Sequence, residues 1–289
     1  MKESRSILIT GCSSGIGLAT ARYLKERGYR VFAAARKEAD RRSLTQEGFE
    51  AVLIDLNDTQ SIRMGLDKVL AATGGRLDAL FNNAAYGQPG AVEDLSLEAL
   101  RTQFEPNFFG THELTRLVIP VMRRQGHGRI IQNSSVLGFV AMPLRGAYNA
   151  SKFALEGLTD TLRLELRGSG IHVVLIEPGP IESRFRETAQ KQFYIHVGMD
   201  GSFHEKAYQK SEKGMGTQEK PVAFSRPPEA VAQVVLRALE DRRPKARYRV
   251  TFPTHLFAVL KRVLPDRALD WILSRVLSVS YTHLRAHET

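Results

Sequence analysis

Short apolar runs alternate with amphipathic stretches along the first 180 residues. RSILIT (5–10), YRVFAAA (29–35), FEAVLID (49–55), LDALFN (77–82), RIIQNS (129–134) and IHVVLIE (171–177) are apolar over successive positions. That is the pattern of strands covered on both faces. Helical spacing fills the intervals at 16–27, 59–73, 97–124 and 147–166. Together they predict an α/β fold with a doubly wound parallel sheet, whose ligands sit at the carboxyl ends of the strands.

The pattern changes after Pro178. Residues 183–226 are polar and glycine-interrupted, with Phe185, Phe193, Tyr194, Ile195, Met199, Phe203, Tyr208 and Met215 scattered through them. They are expected to form a weakly structured insertion at the ligand edge, a lid or a disordered segment. A helix is predicted at 227–241, a strand near Tyr248–Phe252, and then a helical pair broken at Pro265. In that pair Leu269, Ile272, Leu273, Val276 and Leu277 share one helical face beside Arg267 and Arg275. The expected organisation is one domain over 1–278, with a lid at 183–226 and a helical extension at 253–278. Residues 279–289 break the pattern and read as translated adaptor sequence rather than a native terminus.

Composition adds mainly exclusions. With 43% hydrophobic and 25% charged residues the 289-residue chain is of ordinary globular type. Its single cysteine, Cys12, excludes an internal disulfide and a cysteine-rich metal site. No apolar run is long enough to span a bilayer, and no signal-type segment precedes the first strand, so a cytoplasmic location is expected. About +7 of the net charge of +10 falls in residues 220–289. That basic third has no aromatic-interleaved basic motif and no zinc-finger spacing, which argues against nucleic acid.

The candidate chemistry begins at TGCSSGIG (10–17), between the first strand and the first helix. Gly11 permits a tight turn, Gly15 a close backbone approach to phosphate, and Gly17 close helix–sheet packing. Ser13, Ser14 and Ile16 complete a loop whose helix N-terminus would face a pyrophosphate. The second strand ends at Ala35, followed by Arg36 and Lys37 with no carboxylate at its tip. Two cations there favour a 2′-phosphate, hence NADP(H) over NAD(H). Further on, Tyr148 and Lys152 stand four apart and share a helical face.

With TGCSSGIG, Asp55–Leu56, NNAA (82–85), Asn107 in EPNFFGT, NSS (133–135), YNASK (148–152) and EPGP (177–180) in this order, the chain resembles a short-chain dehydrogenase/reductase of the Tyr-x-x-x-Lys type. The match runs from about Ser6 to Pro180, and less specifically to about Leu277. The resemblance implies Tyr148 as catalytic acid/base and Lys152 as its electrostatic partner. It implies Ser135 as the residue orienting the substrate carbonyl and Asn107 as holding a relay water. Ser134 is the poorer serine, because adjacent strand residues face opposite ways. Asp55, with Leu56, would contact adenine, Asn82 and Ala84 would flank the cofactor, and Pro178, Gly179 and Ile181 would lie near the nicotinamide carboxamide. Ala85 replaces a usual glycine, and Ser183 is the nearest hydroxyl to the place of a common threonine.

A cation about 4–5 Å from the phenol, at an effective dielectric near 20, would supply roughly 3–4 kcal/mol. That would lower the tyrosine by about two to three units. The aromatic lid suggests an apolar carbonyl or alcohol as substrate, and the resemblance extends to members acting on retinoids, steroids and other hydrophobic carbonyls. No metal site is expected. Two further readings stand beside this one: a dinucleotide-binding sensor or scaffold without turnover, and a membrane-surface protein. The basic, apolar C-terminal helices would fit an anionic membrane surface, core packing or a homo-oligomer contact.

Overall fold

The computed structural model describes residues 4–216 and 223–282, with side chains to 210 and from 223 to 275. The elements are β1 (Ser6–Ile9), α1 (Gly15–Lys25), β2 (Arg30–Ala35), α2 (Glu38–Gln46), β3 (Glu50–Leu53), α3 (Thr59–Ala72), β4 (Ala79–Asn82), α4 (Leu97–Phe104), α5 (Thr111–Gln125), β5 (Gly128–Asn133), α6 (Gly146–Glu165), β6 (Ile171–Glu177), α7 (Phe185–His196), α8 (Glu205–Gly216), α9 (Glu229–Glu240), β7 (Arg247–Arg249), α10 (Phe252–Val263) and α11 (Asp266–Thr282). All seven strands are parallel, in the order β3-β2-β1-β4-β5-β6-β7. The expected doubly wound sheet is therefore present. Its order reverses between β1 and β4, which opens a crevice at their carboxyl ends.

Alternation along the strands builds two cores. Leu8, Phe32, Leu80, Ile130 and Val173 face α3 and α5, against Ile62, Leu66, Leu114, Val118 and Met122. Ile7, Ile9, Ala33, Phe81, Ile131 and Val174 face α1 and α9, against Ala21, Leu24, Val231 and Val235. Each strand is apolar on both faces because each face has a helix layer to bury against.

Two expectations change. The single helix predicted over 97–124 is interrupted by a π-helical stretch, Glu105–Gly110. Pro106 supplies no N–H to the α ladder there, and Gly110 admits the Leu56 carbonyl. The segment 183–226, expected to be weakly structured, carries two helices, α7 and α8, in its described part. Its α7 buries Ala189 and Phe193, one turn apart. The Phe193 ring meets Tyr208 at 4.8 Å. Tyr208 in α8 donates from its hydroxyl to Asp94 and accepts the Ala91 N–H at 2.8 Å. Helix α11 runs to Thr282, and 283–289 lie outside the described residues. The Met215, Val276 and Leu277 side chains also lie outside them. Among the described residues no helix is long and apolar enough to cross a membrane.

Candidate active site

Between β1 and α1 the chain turns tightly. Gly11 and Gly15 adopt φ of +71° and +56°, left-handed values that favour glycine. A Cβ on Gly11 would lie 2.8 Å from the Cα of Ala84, and one on Gly17 would run into the Gly11 carbonyl oxygen. Ser14 caps α1 without a side-chain bond, and the first turn carries no acidic residue. The helix N–H groups beside Ser13, Ser14 and Ile16 are thus left to an anion. This cradle, which a side chain would fill, fits a dinucleotide pyrophosphate.

Asn83, absent from the sequence-derived set, holds the loop from behind. Its Nδ2 and backbone N–H donate to the Thr10 carbonyl and Oγ1, both at 2.9 Å, and its Oδ1 accepts from Asn133 at 2.9 Å. The doubled asparagine of NNAA was the available signal. Asn82 turns its side chain the other way, donating to Thr115 Oγ1 at 2.8 Å, so only its backbone lies toward the loop.

Arg36 and Lys37 are exposed just beyond β2. Neither side chain makes a hydrogen bond or ion pair among the described residues, and the neighbouring Glu38 is held by Arg41 and Arg42. The charge of Arg36 reaches the Tyr86 phenol, which burial pushes up to about 12. The Tyr86 hydroxyl is itself buried without a partner. Asp55 Oδ1 accepts from the backbone and side chain of Asn57 at 3.0 and 2.7 Å, and Leu56 lies under Gly110.

On the other side of the crevice, α6 presents Tyr148 in its first turn and Lys152 one turn later, both buried. Lys152 Nζ donates to the Asn133 carbonyl at 2.7 Å and lies 5.8 Å from the Tyr148 ring centroid. Ser135 Oγ accepts the Leu137 N–H at 3.1 Å and stands beside the phenol, whose pKa it lowers. Ser134 is buried beside Glu156. Asn107, in the π-helical stretch, brackets Tyr86: Oδ1 accepts its N–H at 3.1 Å and Nδ2 donates to its carbonyl at 2.9 Å.

The expected direction of the phenol shift is not what the structure gives. Burial pushes Tyr148 up to about 12, opposed by the Ser135 hydrogen bond. Burial likewise pulls Lys152 down to about 8, opposed by the charge of Glu156. Desolvation outweighs the Ser135 contribution, and the Lys152 ammonium bonds a carbonyl rather than the phenol oxygen.

Pro178, Gly179 and Ile181 line the return from β6. The Pro178 carbonyl accepts the Val136 N–H at 2.7 Å, Gly179 abuts Thr251, and Ile181 bridges to Arg226. Ser183 Cβ lies 3.2 Å from where a Gly15 Cβ would sit, so this segment reaches the phosphate loop. The Phe185 ring then meets Tyr148 edge-on at 5.4 Å and also packs on Gly87. Behind the site, Arg247 joins Glu156, Asp160 and Glu177 at 3.0, 2.6 and 3.0 Å, and Arg249 meets Glu177 at 3.0 Å. Among the described residues no His, Cys, Asp and Glu cluster could hold a metal.

Comparison with known proteins agrees with this geometry. A short chain dehydrogenase family model matches residues 5–193. The chain is 43% identical to an uncharacterized oxidoreductase, YbbO, of Escherichia coli, covering 93% of this chain and 94% of the relative. It is 31% identical to an NADPH-dependent 3-dehydrocapnine reductase of Ornithobacterium rhinotracheale, covering 94% and 97%. Among solved structures, a short chain dehydrogenase/reductase of Burkholderia phymatum in complex with NAD superposes with a TM-score of 0.75 at 25% identity, covering 89% and 92%.

Proposed function

The chain belongs to the short-chain dehydrogenase/reductase family, and from that premise we propose that it reduces an apolar aldehyde or ketone with NADPH. The observation that carries this reading is the buried Tyr148 phenol beside Ser135, with Lys152 one turn along the helix at the mouth of an open phosphate loop.

A nicotinamide cofactor supplies the hydride when bound. Gly11 and the Ser13–Gly17 turn would hold its pyrophosphate, and Arg36 and Lys37 a 2′-phosphate. Asp55 and Leu56 would border the adenine, and the Asn82 backbone, Ala84, Pro178, Gly179 and Ile181 the nicotinamide end. The unpaired Arg36 and Lys37 support the phosphorylated cofactor, as does the name of the capnine-acting relative.

This chain's residues handle the proton. With its pKa near 12 the phenol holds its proton at neutral pH, the state that donates to a carbonyl oxygen. Ser135 would donate to the same oxygen and fix its position. Lys152, near 8, remains mostly charged at neutral pH and favours the phenolate formed when the proton leaves. Phe185, with its ring against Tyr148, would shield the phenol from water and favour an apolar substrate. Asn107, bonded twice to the Tyr86 backbone, would hold the relay water the family resemblance implies.

NADPH oxidation should be measured with a panel of aldehydes and ketones. Wild-type protein is expected to turn over, and Tyr148→Phe to lose on the order of 10²–10⁴-fold while still binding cofactor by fluorescence titration. Cofactor binding without turnover by the wild-type across the panel would instead identify a dinucleotide sensor.

A further inference from the structure

The C-terminal helices carry two apolar faces. The inner one packs into the protein: Phe257, Leu260, Leu264, Leu269 and Leu273 close over Val136–Val140, the segment that begins one residue after Ser135. Lys261 ties this face down by donating to the Phe139 carbonyl. Core packing therefore accounts for Leu269 and Leu273.

It does not account for the outer face of α10. Phe252, Leu256, Val259 and Val263 recur at intervals of four, three and four, which forms a single stripe on a helix. They are 62%, 41%, 59% and 73% exposed. Trp271 of α11 is also exposed, with Arg275 stacked on its ring. Helix α10 has no carboxylate, and Arg262 and His255 flank the stripe. His255 also lines a cleft of about 380 Å³, together with Arg226, Arg237 and Lys245. Those three cations are exposed and make no side-chain ion pair among the described residues. Arg247 and Arg249 line the same cleft but are committed to Glu177.

We propose that the outer face of α10 docks this protein on an anionic membrane surface, the stripe entering the headgroup–acyl boundary and the cleft cations receiving lipid phosphates. An apolar face rimmed by cations is the composition of an interfacial helix. A second copy fits less well, because a twofold contact through α10 would bring the two basic clefts together. The docked face would stand over the segment following Ser135, so an apolar molecule dissolved in the bilayer would be delivered beside the crevice. The membrane contact does not depend on the catalytic reading.

Co-sedimentation of the full chain with phosphatidylcholine vesicles, with and without phosphatidylglycerol, tests this. Binding is expected only with the anionic lipid, and should weaken with salt. Leu256→Glu with Val259→Glu should lower partitioning by at least tenfold, and Val263→Glu alone should lower it in the same direction. Arg226→Ala, Arg237→Ala and Lys245→Ala should each cost about fivefold. Melting temperatures show that each variant is folded, and light scattering gives its oligomeric state. No binding to anionic vesicles, or binding unchanged in the folded stripe variants, overturns the proposal. Conversion of a dimer to a monomer by the stripe variants, with vesicle binding intact, also overturns it and identifies the second copy as the occupant.

Discussion

At Tyr148 two influences compete, and burial wins. The four-residue spacing put Lys152 on the same helical face, and that much was legible from YNASK alone. Where the ammonium points was not: it bonds the Asn133 carbonyl, a residue brought in by β5. The same limit applies to Asn83, whose partners Thr10 and Asn133 come from two other strands. Arg36 and Lys37 are the converse, since their use requires only a strand end and a missing carboxylate. Arg36→Asp is expected to weaken NADPH relative to NADH by about 10- to 100-fold, the loss of one charge-assisted bond. Parallel titrations of the two cofactors read this out, and equal losses would remove the 2′-phosphate assignment.

Among the elements, the strands and the helices that cover them follow directly from their apolar patterns. Those with thin buried faces did not announce themselves. Helix α2 buries only Leu44, and α7 only Ala189 and Phe193. Such helices are held by neighbours, as Tyr208 holds α8 to the Ala91–Asp94 turn. The π-helical stretch was hidden inside a continuous helical pattern, because beside Pro106 it involves the close approach of the Leu56 backbone to Gly110, a contact distant in sequence. Gly110→Ala puts a methyl into that carbonyl and should cost about 1–3 kcal/mol. It should lower kcat more than cofactor affinity, since Asn107 rides on the displaced stretch. Thermal melts with turnover and cofactor titrations check this, and an unchanged melting temperature would refute it.

In the whole molecule, the last strand ties the sheet to the catalytic helix. Arg247 on β7 reaches Glu156 and Asp160 on α6 and Glu177 on β6, with Arg249 beside it and Ser134 and Lys152 facing Glu156. Burial raises Glu156 to about 7, so it carries its charge above that pH and sheds it below. Arg247→Ala should therefore cost about 3–5 kcal/mol at slightly alkaline pH, by leaving buried carboxylates uncompensated. The cost should shrink as the pH falls toward about 7, because Arg247 holds the Glu156 pKa down and without it the carboxyl takes up its proton at higher pH. Urea unfolding on both sides of that value measures it, and an equal loss on both would sink the account. The sequence alone determined the strand–helix alternation, the glycine turn and the Tyr148–Lys152 spacing, because each is periodic or local along the chain. Tertiary structure alone decided the sign of the phenol shift, the seating of the lid, the Arg247 network and which face of the C-terminal helices stays bare, because burial and charge pairing depend on residues far apart in sequence.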